Sequence, residues 1–82
     1  MASTKTLDDK KLLKLSKKIG LNIRAAREDK NMTLEEVEAA GYPSWKHLQK
    51  AESGQPMTLK TIFRIAHALG VQPSDFFENI KL

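Results

Sequence analysis

Cysteine is absent from the 82-residue sequence, which excludes disulfides and thiolate metal sites and fits a reducing cytosol. No continuous apolar stretch occurs. The start, Met1-Ala-Ser-Thr-Lys5, runs into interleaved lysines and leucines, so neither a signal peptide nor a membrane span is expected, and a cytoplasmic protein with no membrane partner is the default. Also missing are a Gly-rich phosphate loop and a paired acidic constellation with a plausible cleft, while His47 and His67 fall in separate helical segments. Catalysis, a cofactor and a bound metal are therefore not expected. A chain of this length makes one domain and buries only about 60% of the surface its unfolded form exposes, so its core must be economical.

What the sequence does contain is an excess of positive charge, net +4, and its distribution is uneven. Residues 1–30 carry nine Lys/Arg against four Asp/Glu, whereas residues 31–54 carry two against four. The balance favours a polyanionic partner, modestly, and concentrates the basic side chains in the first third. Lys10, Lys11, Lys14, Lys17 and Lys18 form either a solvated helix face or an auxiliary phosphate-binding arm.

Glycine and proline, four and three in number, act as punctuation between helical patterns. Leu12, Leu15, Ile19, Ile23 and Ala26 recur at three- and four-residue intervals, which predicts an amphipathic helix from about Leu7 to Lys30, capped by Thr6 with Asp9. Gly20 lies inside it. At that position glycine costs roughly 1 kcal/mol relative to alanine, so either the helix is locally weak or another backbone packs closely there. After a brief link at Asn31 and Met32, Thr33 and Glu36 have the spacing of a reciprocal capping box, opening a second helix that ends near Ala40. Gly41 and Pro43 break the pattern, Ser44 caps a third helix, and Gly54 closes it. Thr58 caps a fourth helix whose Leu59, Ile62, Ile65, Ala66 and Leu69 line one face before Gly70. Pro73 opens a short fifth one carrying Phe76 and Phe77. The expectation is an all-α domain of five helices without strands.

At about 100 degrees per residue, Leu48, Ala51 and Glu52 define the inward side of the third helix. Trp45, Lys46, Gln49 and Lys50 then share an outward arc free of carboxylates. Lysine donates to guanine O6 and N7 or to phosphate, glutamine matches adenine N6 and N7, and the indole offers apolar contact with a thymine methyl. Trp45 either makes such a contact or packs against the corner beside Tyr42. His47 falls on the flank opposite Gln49 and reads as a boundary residue.

Four segments together resemble a known family: Ile19-Gly20-x-x-Ile23-Arg24-x-x-Arg27, Thr33-x-Glu35-Glu36-Val37, Ser44-x-x-x-Leu48-x-x-Ala51-Glu52-x-Gly54, and Leu59-x-x-Ile62-x-x-Ile65-Ala66-x-Ala68-Leu69-Gly70-Val71. In this register the chain is similar to the lambda repressor and Cro type helix-turn-helix, or XRE family, over about Ile19 to Phe77. The resemblance implies five helices in a lambda-repressor-like fold with an extended first helix. It also implies that helix three is a recognition helix and that symmetric dimers bind roughly palindromic double-stranded DNA. Ser44, Trp45, Lys46, Gln49 and Lys50 match positions that touch bases or nearby phosphates in family members. Thr33 matches the helix-two start that meets phosphate, and Gln55, Thr58 and Lys60 belong to another backbone-contacting loop. Arg27 and Glu52 match a paired ionic couple, read here as structural.

The sequence departs from the family at Leu34, where glutamine is frequent, and at the corner, where glycine comes one residue early as Gly41 and is followed by Tyr42 and Pro43. The size of Trp45 is unusual for a base-reading position. The organisation expected is a basic extension over 1–18 continuous with helix one, a helix-turn-helix domain over 19–77, and a tail over 78–82. Phe77, Ile80 and Leu82 offer more apolar surface than a short terminal helix needs, which suggests a homodimer contact. The expected function is a sequence-specific DNA-binding transcriptional regulator, more readily a repressor than an activator. The alternative is an antitoxin or adaptor that uses Trp45, Tyr42 and Phe77 to bind a protein partner.

Overall fold

The structure, a computed structural model, describes residues 8–81. Helix α1 spans Asp9–Asp29, α2 Leu34–Ala39, α3 Trp45–Glu52 and α4 Leu59–Leu69, and a 3-10 helix follows at Pro73–Phe77. There is no strand among the described residues. The fifth helical segment is thus a short 3-10 helix rather than an α-helix. Pro73 starts it, the Gln72 amide donates to the Asp75 carboxylate at 3.3 Å, and five residues give too little length to establish an i→i+4 ladder.

The expected capping residues of α2, α3 and α4 accept from the third amide of their helices: Thr33 from Glu36, Ser44 from His47 and Thr58 from Thr61. At α1 the cap is Asp8, whose side chain accepts from the Lys11 amide at 2.8 Å, and Thr6 lies outside the described residues. Every α-helix ends with the same pair of bonds, in which two amides beyond the last turn return to carbonyls of that turn. For α1 these are Asn31 to Glu28 at 2.9 Å and Met32 to Arg27 at 3.1 Å, with Asn31 left-handed at φ 56°. Asn31 is therefore the stop signal of α1 rather than a neutral link.

Ile23, Val37, Tyr42, Leu48, Ala51, Ile62, Ile65, Ala66, Leu69 and Phe76 form one buried cluster drawn from all the helices. Two expected core positions differ. Leu59, the first residue of α4, is 66% exposed, and Leu12 on the first turn of α1 is exposed as well. Tyr42 goes the other way: it is buried, so it cannot serve as an exposed docking residue. Asn22 on α1 ties down the 3-10 helix by donating from Nδ2 to the carbonyls of Phe76 and Glu78 at 3.0 and 2.9 Å.

Candidate nucleic-acid interface

The corner between α2 and α3 is fixed at both ends by local chemistry. At its start, the Thr33 hydroxyl accepts from the Glu36 amide at 3.1 Å, while Glu36 Oε1 accepts from the Thr33 amide at 2.8 Å. At the exit, the Gly41 and Tyr42 amides donate to the carbonyls of Glu38 and Val37 at 3.0 and 3.2 Å. That geometry needs the φ of 124° which Gly41 adopts, a value that L side chains rarely reach. The chain then drops Tyr42 into the core, where its hydroxyl hydrogen-bonds His47 Nδ1 and its ring stacks on the imidazole at 5.8 Å. Burial raises the Tyr42 phenol above its ordinary range, opposed by a hydrogen bond to Thr61 and the positive charge of Arg64. His47 is thus a strut of the corner as well as a boundary residue.

The start of α3 has two caps. The Ser44 hydroxyl accepts from the His47 amide at 3.3 Å, and Glu38 reaches across from α2 so that its Oε2 accepts from the Trp45 amide at 2.9 Å. A carboxylate at a helix N-terminus also meets the positive end of the helix dipole. Sequence reading gave Glu38 no partner, because the bond links residues seven apart across a turn whose shape must be known first.

The inward side of α3 rests on α1 at two glycines. At Gly20, a Cβ would lie 2.5 Å from the Glu52 carbonyl oxygen and 2.6 Å from that of Ala51. The reason for a glycine inside α1 is therefore close approach of a second backbone. At Gly54, with φ of 100°, a Cβ would meet Lys17 Cγ at 2.5 Å, so the lysine stem lies directly on the residue that ends α3. Two turns beyond Gly20 on α1, Arg27 grips Glu52 with both ends of its fork: Nε to Oε2 at 2.7 Å and Nη2 to Oε1 at 3.0 Å. Its Nη1 donates to the Met32 carbonyl at 2.8 Å. The two side chains are only 12% and 8% exposed. The hydrogen bond from Glu52 raises the Arg27 pKa, with desolvation opposing and the charges of Glu52, Glu28 and Glu35 adding to the rise, so the guanidinium stays charged.

The opposite side of α3 faces outward. Lys46, Gln49 and Lys50 are exposed, and Trp45 is half-buried with Lys46 Nζ 5.7 Å from its ring centroid. This distance is within cation–π range, so the indole and the ammonium form one unit on the rim. Ser44 is half-buried at the head of the same helix. Thr33 is exposed at the head of α2, and Gln55, Thr58 and Lys60 are exposed after α3 and at the head of α4. Thr33 and Thr58 both use their hydroxyl oxygens as caps, which leaves the free amides of two helix starts beside them. Phe77 and Ile80 lie apart from this group, on and just after the 3-10 helix, exposed and half-buried respectively. Leu82 lies outside the described residues.

One more cation joins the outward side. Arg24 lines, with Arg27, Leu34, Gln49, Glu52 and Ser53, a shallow concavity of about 250 Å³ between α1, α2 and α3. Its Nε donates to Glu28 Oε2 at 3.2 Å in a surface pair. The sequence signal was present, since Arg24 precedes Arg27 by three residues and so shares its flank of α1, but only the packing of α3 shows that Gln49 borders the same hollow.

Among the described residues no helix is long and apolar enough to cross a membrane, and no three His, Cys, Asp or Glu side chains gather as a metal site would require. Comparison with curated proteins and with solved structures returns no match. A family model described as helix-turn-helix matches residues 23–76, from the second half of α1 to the 3-10 helix. The match covers the α2–α3 corner, its caps, the Arg27–Glu52 pair and the outward cations of α3, and the chain belongs to the XRE-type, lambda repressor/Cro-like helix-turn-helix family of DNA-binding domains.

Proposed function

We propose that this protein is a sequence-specific transcriptional regulator that reads a palindromic operator as a dimer, with α3 of each subunit in successive major grooves. The observation that supports this most directly is the outward arc of Trp45, Lys46, Gln49 and Lys50, free of carboxylates, on a helix fixed from behind by Gly20, Glu52 and Gly54. A reading head must keep its donors in place while phosphates and bases approach, and these contacts supply that rigidity. Lys46 and Lys50 donate to guanine edges or phosphate, Gln49 pairs with adenine, and Trp45 offers its indole to a thymine methyl or a phosphate. Thr33 and Ser44 at the helix heads, and Gln55, Thr58 and Lys60 beyond α3, position the domain on the backbone. Such a protein works in the cytoplasm, and repression by obstructing polymerase is the role that DNA occupancy alone supplies.

Dimerisation is assigned to the carboxy-terminal surface, where Phe77 is 41% exposed and Ile80 half-buried beside it. A self-complementary patch there creates the two-fold axis that a palindrome requires, with recognition helices about 34 Å apart. Phe77→Asp is expected to shift the sedimenting species from dimer to monomer, and an unchanged dimer population would rule this surface out. The alternative, an antitoxin or adaptor binding a protein, draws on the same exposed Phe77 and half-buried Trp45 but loses Tyr42 to the core.

The deciding experiment selects duplexes from a random pool and then measures affinity for the wild type, Lys46→Ala, Gln49→Ala and Lys50→Ala. A palindromic enriched site is expected, with each base-contact variant losing about 1 to 3 kcal/mol of discrimination at its own position. No enrichment, with equal weak binding by all four proteins, would refute the recognition-helix assignment.

A further inference from the structure

The first two thirds of α1, from Asp9 to Asn22, precede the segment matched by the helix-turn-helix family, yet they carry five of the chain's eleven lysines. Three cations on α1 recur every seven residues: Lys10 and Lys17 in that stretch and Arg24 just inside the matched segment. Seven residues of α-helix return within about 20 degrees of two full turns, so the three share one narrow stripe. Two of them are placed against the reading head. Arg24 lines the concavity that Gln49 and Ser53 also border, and the Lys17 stem lies against Gly54, at the end of α3. Lys10 continues the stripe two turns further on, and all three residues are exposed. No acidic residue stands on α1 between Asp9 and Glu28, so nothing within that stretch of helix neutralises the stripe. The Arg24 pair with Glu28 engages one of five guanidinium donors.

We propose that Lys10, Lys17 and Arg24 form a second phosphate-binding track, continuous with the outward face of α3, which extends the protein's footprint along duplex DNA beyond the bases α3 reads. The proposal rests on the DNA-binding reading of α3. From Lys10 to Arg24 the helix rises about 21 Å, comparable to roughly six phosphate steps at about 3.4 Å along one strand. The track gives affinity without sequence preference, because ammonium and guanidinium groups on phosphate read no base.

The test uses the full chain and the duplex enriched by selection, in a long form and in a form trimmed to the edge of the recognised site. Lys10→Gln with Lys17→Gln keeps the side-chain stem that rests on Gly54 and removes two charges, and Arg24→Gln removes the third. Lys18→Gln with Lys81→Gln removes two exposed charges away from the stripe and serves as the charge-matched control. For the wild type, trimming the duplex weakens binding. For the stripe double variant the slope of log affinity against log salt becomes shallower by about 2, and for Arg24→Gln by about 1. Between 50 and 200 mM salt the double variant accordingly loses roughly tenfold less affinity than the wild type, and it no longer distinguishes long from trimmed duplex. The control keeps the wild-type slope, and all variants select the same site. Equal slopes for the stripe variant and the wild type, or equal changes in stripe variant and control, overturn the track while leaving the α3 reading intact. A wild type that enriches no duplex overturns both.

Discussion

Replacing Gly20 with alanine sets two well-defined effects against each other. Inside an exposed stretch of helix the change would stabilise the chain by about 1 kcal/mol, because alanine loses less backbone freedom on folding. Here the added Cβ falls 2.5 Å from the Glu52 carbonyl oxygen, where ordinary contact begins at 3.4 Å. The obstacle is backbone on both sides, so the last turn of α3 must withdraw by a large fraction of an ångström. Overpacking of this kind costs about 1 to 3 kcal/mol. The displaced residue is also the one that Arg27 grips, so part of the ion pair's geometry is lost with it. We expect a net loss of about 1 to 2 kcal/mol, which in a domain of this size lowers Tm by roughly 5 to 15 °C. Circular dichroism melts measure it directly. Affinity for a selected duplex should fall further than the unfolded fraction explains, because α3 is no longer seated at its depth. If Gly20→Ala instead raises Tm by the few degrees that helix propensity alone provides, the close approach of α1 and α3 is wrong.

Three other expectations follow from the same contacts. Arg27→Met and Glu52→Met should each lose about 3 to 5 kcal/mol in urea denaturation, since each strands a partly buried charge, while the double variant recovers much of that loss; additive losses would mean the pair is not coupled. Tyr42, the sole tyrosine, should titrate by ultraviolet absorbance with a midpoint above about 10. The folded state retains that proton more tightly than the unfolded chain, so the stability it contributes is complete below about pH 10 and declines as pH rises through the folded value, a decline that Tyr42→Phe should flatten. Glu38→Ala should cost about 0.5 to 2 kcal/mol and speed hydrogen exchange at the Trp45 amide, and unchanged exchange there would remove the second cap of α3.

The helix heads and tails were legible in the sequence because a cap is decided by residues within one turn of each other. Thr33 with Glu36, Ser44, Thr58 and Gly70 all act where local spacing puts them. Where several cap formers crowd together, at Thr6, Asp8 and Asp9, local reasoning could not choose among them. Asn31 escaped notice for a related reason, since its left-handed turn depends on Met32 finding the core as much as on its own side chain. Periodicity found most of the buried face of α4 but misplaced Leu59, because a helical stripe says which way a residue points and not whether anything lies opposite. The two glycines under α3, the reach of Glu38 and the hollow beside Arg24 all join segments distant in the chain or folded across a turn. The sequence could pose the question at Gly20, and only the approach of α3 answered it.

The position of α3 is set by its buried Leu48 and Ala51 together with two caps, two glycines and one guanidinium. The side chains of residues 45, 46, 49 and 50 make none of those bonds. Under the proposed DNA reading, drift at those four positions changes which DNA is preferred at nearly constant folding stability, whereas a methyl group added at position 20 disturbs every target alike. On that reading the molecule separates its alphabet from its binding, so that the first is rewritten without reopening the second.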